Sequence, residues 1–348
     1  MDRIPVSILG ATGMVGQRFI QLLDQHPLFR VQSLAASERS TGKAYAEACR
    51  WLLPFEMPES VRDLPLLPVD SNFDCDVVFS ALPGSVAAET ETGLSGRGYR
   101  VFSNASSHRM DEDVPLLVPE VNAGHSALIQ FQSSFKNGGY IVTSANCSTT
   151  ILVLALKPLQ NQFGIRRMSV VTMQAVSGAG YPGVASLDIL GNIVPFIEGE
   201  EEKLETETAK LLGTLQDGAI LPADFPISSQ CTRVPVVNGH TEFVSISFKT
   251  IPSQDDLIAC LRDFQPPDEI LDLPSSPVYP IRVFQEPDRP QPALDVSEAN
   301  GMTVSVGRIR PCRLEQYKFL VLGHNTLRGA AGGAIHNAEL LYAQGFLD

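Results

Sequence analysis

The residue with the most chemical potential in this chain is a cysteine at an element boundary. Cys147 stands in Ser144-Ala-Asn-Cys-Ser-Thr-Thr150, between the β-rich run Tyr140-Ile-Val-Thr143 and a stretch to Phe163 with apolar residues at helical spacing. That places the thiol at or beside a helix N-terminus. The helix dipole there favours a thiolate, and free backbone N–H groups can hold an oxyanion. A free cysteine is as often an inert apolar core residue, so the rest of the chain decides. Among six histidines, His240 lies in the loop-like Asn238-Gly-His-Thr241 between β runs, and imidazole suits acid/base work at neutral pH. A thiolate turns an aldehyde into a thiohemiacetal, from which hydride can leave to a nicotinamide; the resulting thioester is then cleaved by an acceptor.

A second constellation fits that chemistry. Gly10-Ala-Thr12-Gly13-Met14-Val15-Gly16 follows an apolar run, Ile4 to Leu9, and opens a helical pattern. In that context glycines permit the tight turn, the approach of a pyrophosphate to the backbone, and close helix–strand packing. The end of the second strand reads Ala36-Ser37-Glu38-Arg39-Ser40-Thr41-Gly42-Lys43. Glu38 would suit a free ribose 2′-hydroxyl, whereas Ser37, Arg39, Ser40 and Lys43 offer donors and charge to a 2′-phosphate. The balance favours NADP(H).

These residues need a scaffold. Strand and helix signals alternate through the first part: Ile4–Leu9, Val15–His26, Val31–Ala35, Cys75–Ala81, Arg100–Ser103, Leu116–Val121 and Tyr140–Ala145. Such alternation means a parallel, doubly wound sheet. After Cys147 longer β runs appear at Met168–Val176, Arg233–Thr250, Thr303–Pro311 and Tyr317–Leu322, with helical patterns over Glu200–Leu212 and Arg328–Gln344. The expected fold is α/β: a Rossmann-like domain over residues 1–146, completed by a C-terminal helix about 327–348, and an α+β catalytic and dimerisation domain over 147–326.

The formal charge of −13 argues against nucleic acid and anionic membranes as partners. No apolar run reaches membrane-spanning length, and Met1 leads directly into a strand without a signal peptide. Six cysteines without a C-x-x-C pair read as free thiols in a reducing, cytoplasmic setting. No Cys/His cluster has zinc-ligand spacing, so no metal is expected.

Seven separated motifs resemble one family, the aspartate-β-semialdehyde dehydrogenases, in their archaeal and fungal branch. They are Gly10 to Gly16, Ala36 to Lys43, Ser103 to Asn122, Ser144 to Thr150, Gln174 to Gly180, Arg233 to His240 and His324 to Gly329. The resemblance implies Cys147 as nucleophile, His240 as acid/base residue and Gln174 as the side chain that orients the substrate. It implies Arg233 on the substrate α-carboxylate, Glu200 and Lys203 as a Glu-x-x-Lys pair, and Arg109 with Asn104 on phosphate. Ser177, Gly178 and Asn325 lie where the family contacts the nicotinamide. Ser106 stands where fungal members often carry a phosphate-binding lysine. The family also implies a homodimer or homotetramer acting on small molecules.

The implied reaction is NADPH-dependent reduction of L-aspartyl-4-phosphate to L-aspartate-4-semialdehyde, toward threonine, methionine and lysine. Residue types alone leave open another acyl reductase on this scaffold, such as a malonyl-CoA or N-acetylglutamyl-phosphate reductase, and a non-catalytic dinucleotide-binding protein. They also leave open a solvated helix face for the acidic run Glu198 to Glu207. If Arg39 reads a 2′-phosphate, Arg39→Ala weakens NADPH and spares NADH. Losing one charged contact costs about 1.5–3 kcal/mol, roughly ten- to hundredfold in affinity. Equal losses for the two cofactors, measured by titration, would remove Arg39 from that role.

Overall fold

The computed structural model describes residues 2–347. Its first sheet has seven strands: β1 (Ile4–Leu9), β2 (Phe29–Ala35), β3 (Leu66–Leu67), β4 (Val77–Ser80), β5 (Arg100–Ser103), β6 (Leu116–Leu117) and β7 (Tyr140–Ser144). Every pairing is parallel, in the order β3-β2-β1-β4-β5-β7-β6. The near-continuous apolar runs follow from burial on both faces. β1 lies between β2 and β4, so the strand order reverses beside it. Ligands of such sheets bind at that switch point, outside the carboxyl ends of the strands.

The second sheet is mixed. After a long strand β8 (Ile165–Gln174) and a small hairpin, β9 (Thr214–Gln216) with β10 (Ala219–Leu221), come β11 (Ile227–Arg233), β12 (His240–Phe248), β13 (Ile281–Phe284), β14 (Val304–Pro311) and β15 (Tyr317–Gly323). Their order is β11-β8-β12-β15-β14-β13. One face buries Met168, Val170, Val244, Ile246, Phe319 and Val321 under the helices Cys147–Phe163, Glu200–Leu211 and Gln254–Arg262. The other face leaves Val171 and its cross-strand partner Phe243 exposed.

Two expected strands are corrected. Leu116–Val121 pairs only at Leu116–Leu117, because Pro119, which lacks an N–H, opens a short helix Pro119–Asn122. Arg233–Thr250 is not one strand. Arg233 ends β11, and His240 begins β12 after a loop containing Pro235 and Gly239, whose φ of +100° favours glycine.

The last segment returns to the first sheet. Ala331, Ala334, Ile335, Ala338 and Leu341 share a core with Val6, Ile8, Phe19 and Phe79. A bidentate ion pair fixes that return: Arg328 donates from Nη1 to Glu120 Oε1 at 2.7 Å, and its second nitrogen reaches Oε2, with both side chains 1 % exposed. Burial alone would raise the Glu120 carboxyl, but Arg328 and His336 outweigh it and hold it down to about 2. Breaking such a pair strands a buried charge, so Glu120→Gln should cost about 3–5 kcal/mol at neutral pH. Because the folded value lies below the ordinary one of 4.5, this stabilisation is present above about pH 4.5 and drains as pH falls toward 2. Calorimetry across that window should show the wild-type advantage shrinking with acid. An unchanged melting temperature at pH 7 would refute this account.

Candidate active site

The glycine turn is built for close approach. Gly10 has φ +72°, and a Cβ there would lie 2.6 Å from the Ala81 carbonyl oxygen. A Cβ at Gly16 would collide with the Gly10 carbonyl oxygen. Gly13 caps the helix Met14–Leu23 without a side chain, and the first turn has no acidic residue. Its leading N–H groups, framed by Thr12, Met14 and Val15, are therefore free to face an anion. This cradle fits a dinucleotide pyrophosphate. Beyond β2 a cavity of about 850 Å³ is lined by Ser37, Glu38 and Arg39, with Thr90 and Arg97 also on its wall. Ser40 and Lys43 do not line it: their backbones close a turn and pair with Leu66.

Cys147 is the first residue of its helix. The preceding Asn146 is the cap, its Oδ1 accepting from Ser148 N at 2.9 Å and Thr149 N at 3.3 Å. This is the N-terminal placement expected from the sequence. The thiol Sγ lies 3.1 Å from His240 Nε2. His240 is fully buried at the start of β12, rather than in a loop. Its Nδ1 accepts from Ala175 N at 3.0 Å, so a neutral ring carries its proton on Nε2, facing sulfur.

The expected low thiol pKa does not hold. Burial pushes the Cys147 thiol up to about 12 and Glu200 adds to that, while Arg233, Arg109 and the Ser148 backbone N–H pull it down. Burial, aided by Arg233, pushes His240 down to about 3. Desolvation outweighs the helix terminus here, and the resting pair is thiol and neutral imidazole.

One row across the second sheet supplies the other groups. Arg233 on β11 sits opposite Gln174 on β8. Thr241 opposite Met173 sets His240 beside Gln174. Arg233 Nη1 donates to the Ala175 carbonyl at 2.9 Å. Gly178 closes over this row: a Cβ there would lie 2.8 Å from Arg233 Nη1 and 3.1 Å from His240 Cε1. Asn325 ties the same corner, donating to Ser177 Oγ at 2.8 Å and accepting from Gly239 N at 2.9 Å. On the connection after β5, Arg109 Nη2 donates to the Asn104 carbonyl at 2.8 Å. Arg109 Nε and Asn104 Nδ2 are buried donors without a partner among the described residues, a pair suited to an oxygen-rich anion, and Gln174 Nε2 on β8 is a third such donor.

Glu200 and Lys203 stand on the helix Glu200–Leu211, and Glu200 accepts from the Asn146 side chain. The solvated-face reading of this run is wrong for its inner stripe. Glu200, Lys203, Glu207 and Lys210 recur every three or four residues, and all but the half-buried Lys203 are buried. Glu207 and Lys210 were not singled out from sequence, although that spacing marks them. Two further residues escape sequence reasoning. A Cβ at Gly329 would lie 2.7 Å from Cys147 Cβ. Glu242, two residues beyond His240, is fully buried with both oxygens unpartnered among the described residues, and burial pushes its carboxyl well up, toward the neutral form.

A dinucleotide cradle in the first sheet and a thiol held against an imidazole at one end of the second make up the site of an oxidoreductase. The comparisons agree. Residues 5–129 match the model of the semialdehyde dehydrogenase NAD binding domain, and residues 156–328 that of the semialdehyde dehydrogenase dimerisation domain. The aspartate-semialdehyde dehydrogenase of Archaeoglobus fulgidus is 50 % identical over 97 % of this chain and 98 % of its own length. That of Schizosaccharomyces pombe is 46 % identical over 98 % and 99 %. The crystal structure of the Candida albicans enzyme with NADP superposes with a TM-score of 0.91 at 43 % identity, covering 98 % of this chain and 99 % of that one. The chain belongs to the semialdehyde dehydrogenase family.

The raised thiol sets a reactivity pattern. Inactivation by iodoacetamide should accelerate with pH, by about tenfold per unit between pH 7 and 9, because the thiolate is the nucleophile. Cys312, whose thiol is held down first by the Glu315 backbone, should be labelled earlier than Cys147. A plateau in the inactivation rate near pH 7 would instead mean a resting thiolate.

Proposed function

We propose that this protein is an NADPH-dependent aspartate-semialdehyde dehydrogenase that reductively dephosphorylates L-aspartyl-4-phosphate, reversibly, in the biosynthesis of threonine, methionine and lysine. The observation that carries this reading is the thiol 3.1 Å from His240 Nε2, acted on by two buried arginines from different elements. Two cationic ends suit a small substrate with a carboxylate at one end and a phosphate at the other. Arg233, with Gln174, Glu200 and Lys203 nearby, holds the amino-acid end. Arg109 and Asn104 hold the phosphate.

The Cys147 thiol gives its proton to water and the sulfur attacks the acyl carbon; the carbon–sulfur bond forms, and the bond to the phosphate oxygen breaks. Phosphate leaves onto Arg109 and Asn104 and takes up one proton from water. Bound NADPH would rest its pyrophosphate on the glycine cradle and its 2′-phosphate against Ser37 and Arg39, with the nicotinamide toward Ser177, Gly178 and Asn325, and would supply the hydride to the thioester carbon. The His240 Nε2–H steadies the oxyanion on the former carbonyl, and its collapse returns the thiolate and frees the aldehyde. Ala175 N–H keeps the imidazole in that donor tautomer.

The exposed Val171–Phe243 face of the second sheet, within the part matched as a dimerisation domain, supports a homo-oligomer built through that face. No helix of the described residues is long and apolar enough to cross a membrane, and the biosynthetic role supports a cytoplasmic place. Residues 1–146 with the C-terminal helix would form the cofactor domain, and 147–326 the catalytic one.

The test is the reverse assay: phosphate-dependent reduction of NADP with aspartate semialdehyde. Arg109→Ala should raise the KM for phosphate. Arg233→Lys, which cannot form a bidentate fork, should impair semialdehyde use and lower kcat, since a misplacement of about 1 Å can cost on the order of a hundredfold. If Arg233→Lys moves the phosphate KM and spares the semialdehyde, the two ends are reversed.

A further inference from the structure

Glu207 takes no part in those steps, yet its carboxylate joins the two groups that must act on opposite sides of the acyl carbon. The side chain is almost wholly buried. One oxygen accepts from Arg109 Nη1 at 2.9 Å, and the other accepts from the backbone N of Asn146 at 2.6 Å. Asn146 is the cap that sets the first turn after Cys147. Arg109 is thereby clamped through two of its three nitrogens, by Glu207 and the Asn104 carbonyl, and only Nε stays buried without a partner among the described residues. One turn further along the helix, Lys210 donates to the carbonyls of Arg109 and Asp111 at 2.8 Å and of Val114 at 3.0 Å, fastening the loop that carries the arginine.

We infer that Glu207 is a positioning residue that holds the phosphate-binding arginine and the nucleophile helix to one carboxylate, fixing the separation of leaving phosphate and attacking sulfur. This rests on the acyl-phosphate reading above. Near-attack geometry is sensitive to shifts of this kind, because effective molarity depends on orientation held before the reaction. A carboxylate can accept from both partners at once. A glutamine of the same volume has one accepting oxygen, and its NH₂ would face another donor.

Glu207→Gln should therefore raise the phosphate KM and lower kcat in the reverse assay, each by on the order of tenfold. In an Arg109→Ala background the same change should leave the phosphate KM within about twofold and still lower kcat, because only the Asn146 arm remains to be lost. Glu207→Asp, which keeps the charge but is one methylene shorter, should reproduce the kcat loss. Two results would overturn the inference: a lowered melting temperature with both kinetic constants intact, or a KM shift undiminished without Arg109. If Arg109→Ala itself leaves the phosphate KM unmoved, or no phosphate-dependent turnover is seen, the phosphate reading fails instead. The rate of Cys147 alkylation then decides the Glu207 assignment alone. A rate changed by Glu207→Gln upholds its hold on the nucleophile helix, and an unchanged rate overturns it.

Discussion

The helix that carries Cys147 is pressed so closely between the second sheet and the returning terminal segment that no side chain fits at two of its contacts. A Cβ at Gly323, the last residue of β15, would lie 2.6 Å from Ile151, and one at Gly329 would lie 2.7 Å from Cys147. That closeness lets a thiol on one element reach an imidazole on another at 3.1 Å. Packed interiors do not give way by fractions of an ångström without cost, so the spacing of sulfur and nitrogen is set by the backbones. The side chains then need little adjustment of their own.

The same closeness sets the electrostatics. Excluding water raises the cost of a thiolate and of an imidazolium alike, and each titration is displaced away from neutrality. The compensating charges are placed around the sulfur, with Arg233 and Arg109 favouring the anion and Glu200 opposing it. Burial also pushes up the carboxyl of Glu242, two residues beyond His240. In a site screened from water, a donor aimed at developing negative charge is worth more than the same donor in water, and the His240 Nε2 lies beside the sulfur.

Much of this was legible in the sequence, for local reasons. The glycine turn and Cys147 each sit between two kinds of hydrophobic periodicity, and a change of period marks an element boundary. The parallel sheet follows from alternation alone, and the resemblance supplied what spacing could not, the pairing of Cys147 with His240. Other features were illegible because they are tertiary. Arg233 to Thr250 reads as one β run, and only the fold shows that the break at Pro235 and Gly239 brings Arg233 and His240 to the same end of two strands. Glu207 reads as part of a solvated acidic run and Lys210 carries no signal, because their partners, Arg109, Asn146 and the 109–114 carbonyls, come from far away in the chain. The thiol pKa depends on water exclusion, which no single window of residues reports.

The return of the terminal segment bears on how the polypeptide reaches this state as it is made. Val6, Ile8 and Phe79 emerge from the ribosome early, but Ala334, Ile335, Ala338 and Leu341 of the same core come last. Glu120 likewise waits for Arg328, 208 residues downstream. Domains with contiguous cores fold as they emerge during synthesis. Here the order is reversed: the later-made second sheet, whose strands and covering helices lie between Cys147 and Gly323, can close while the first-made sheet still lacks the helix that seals it.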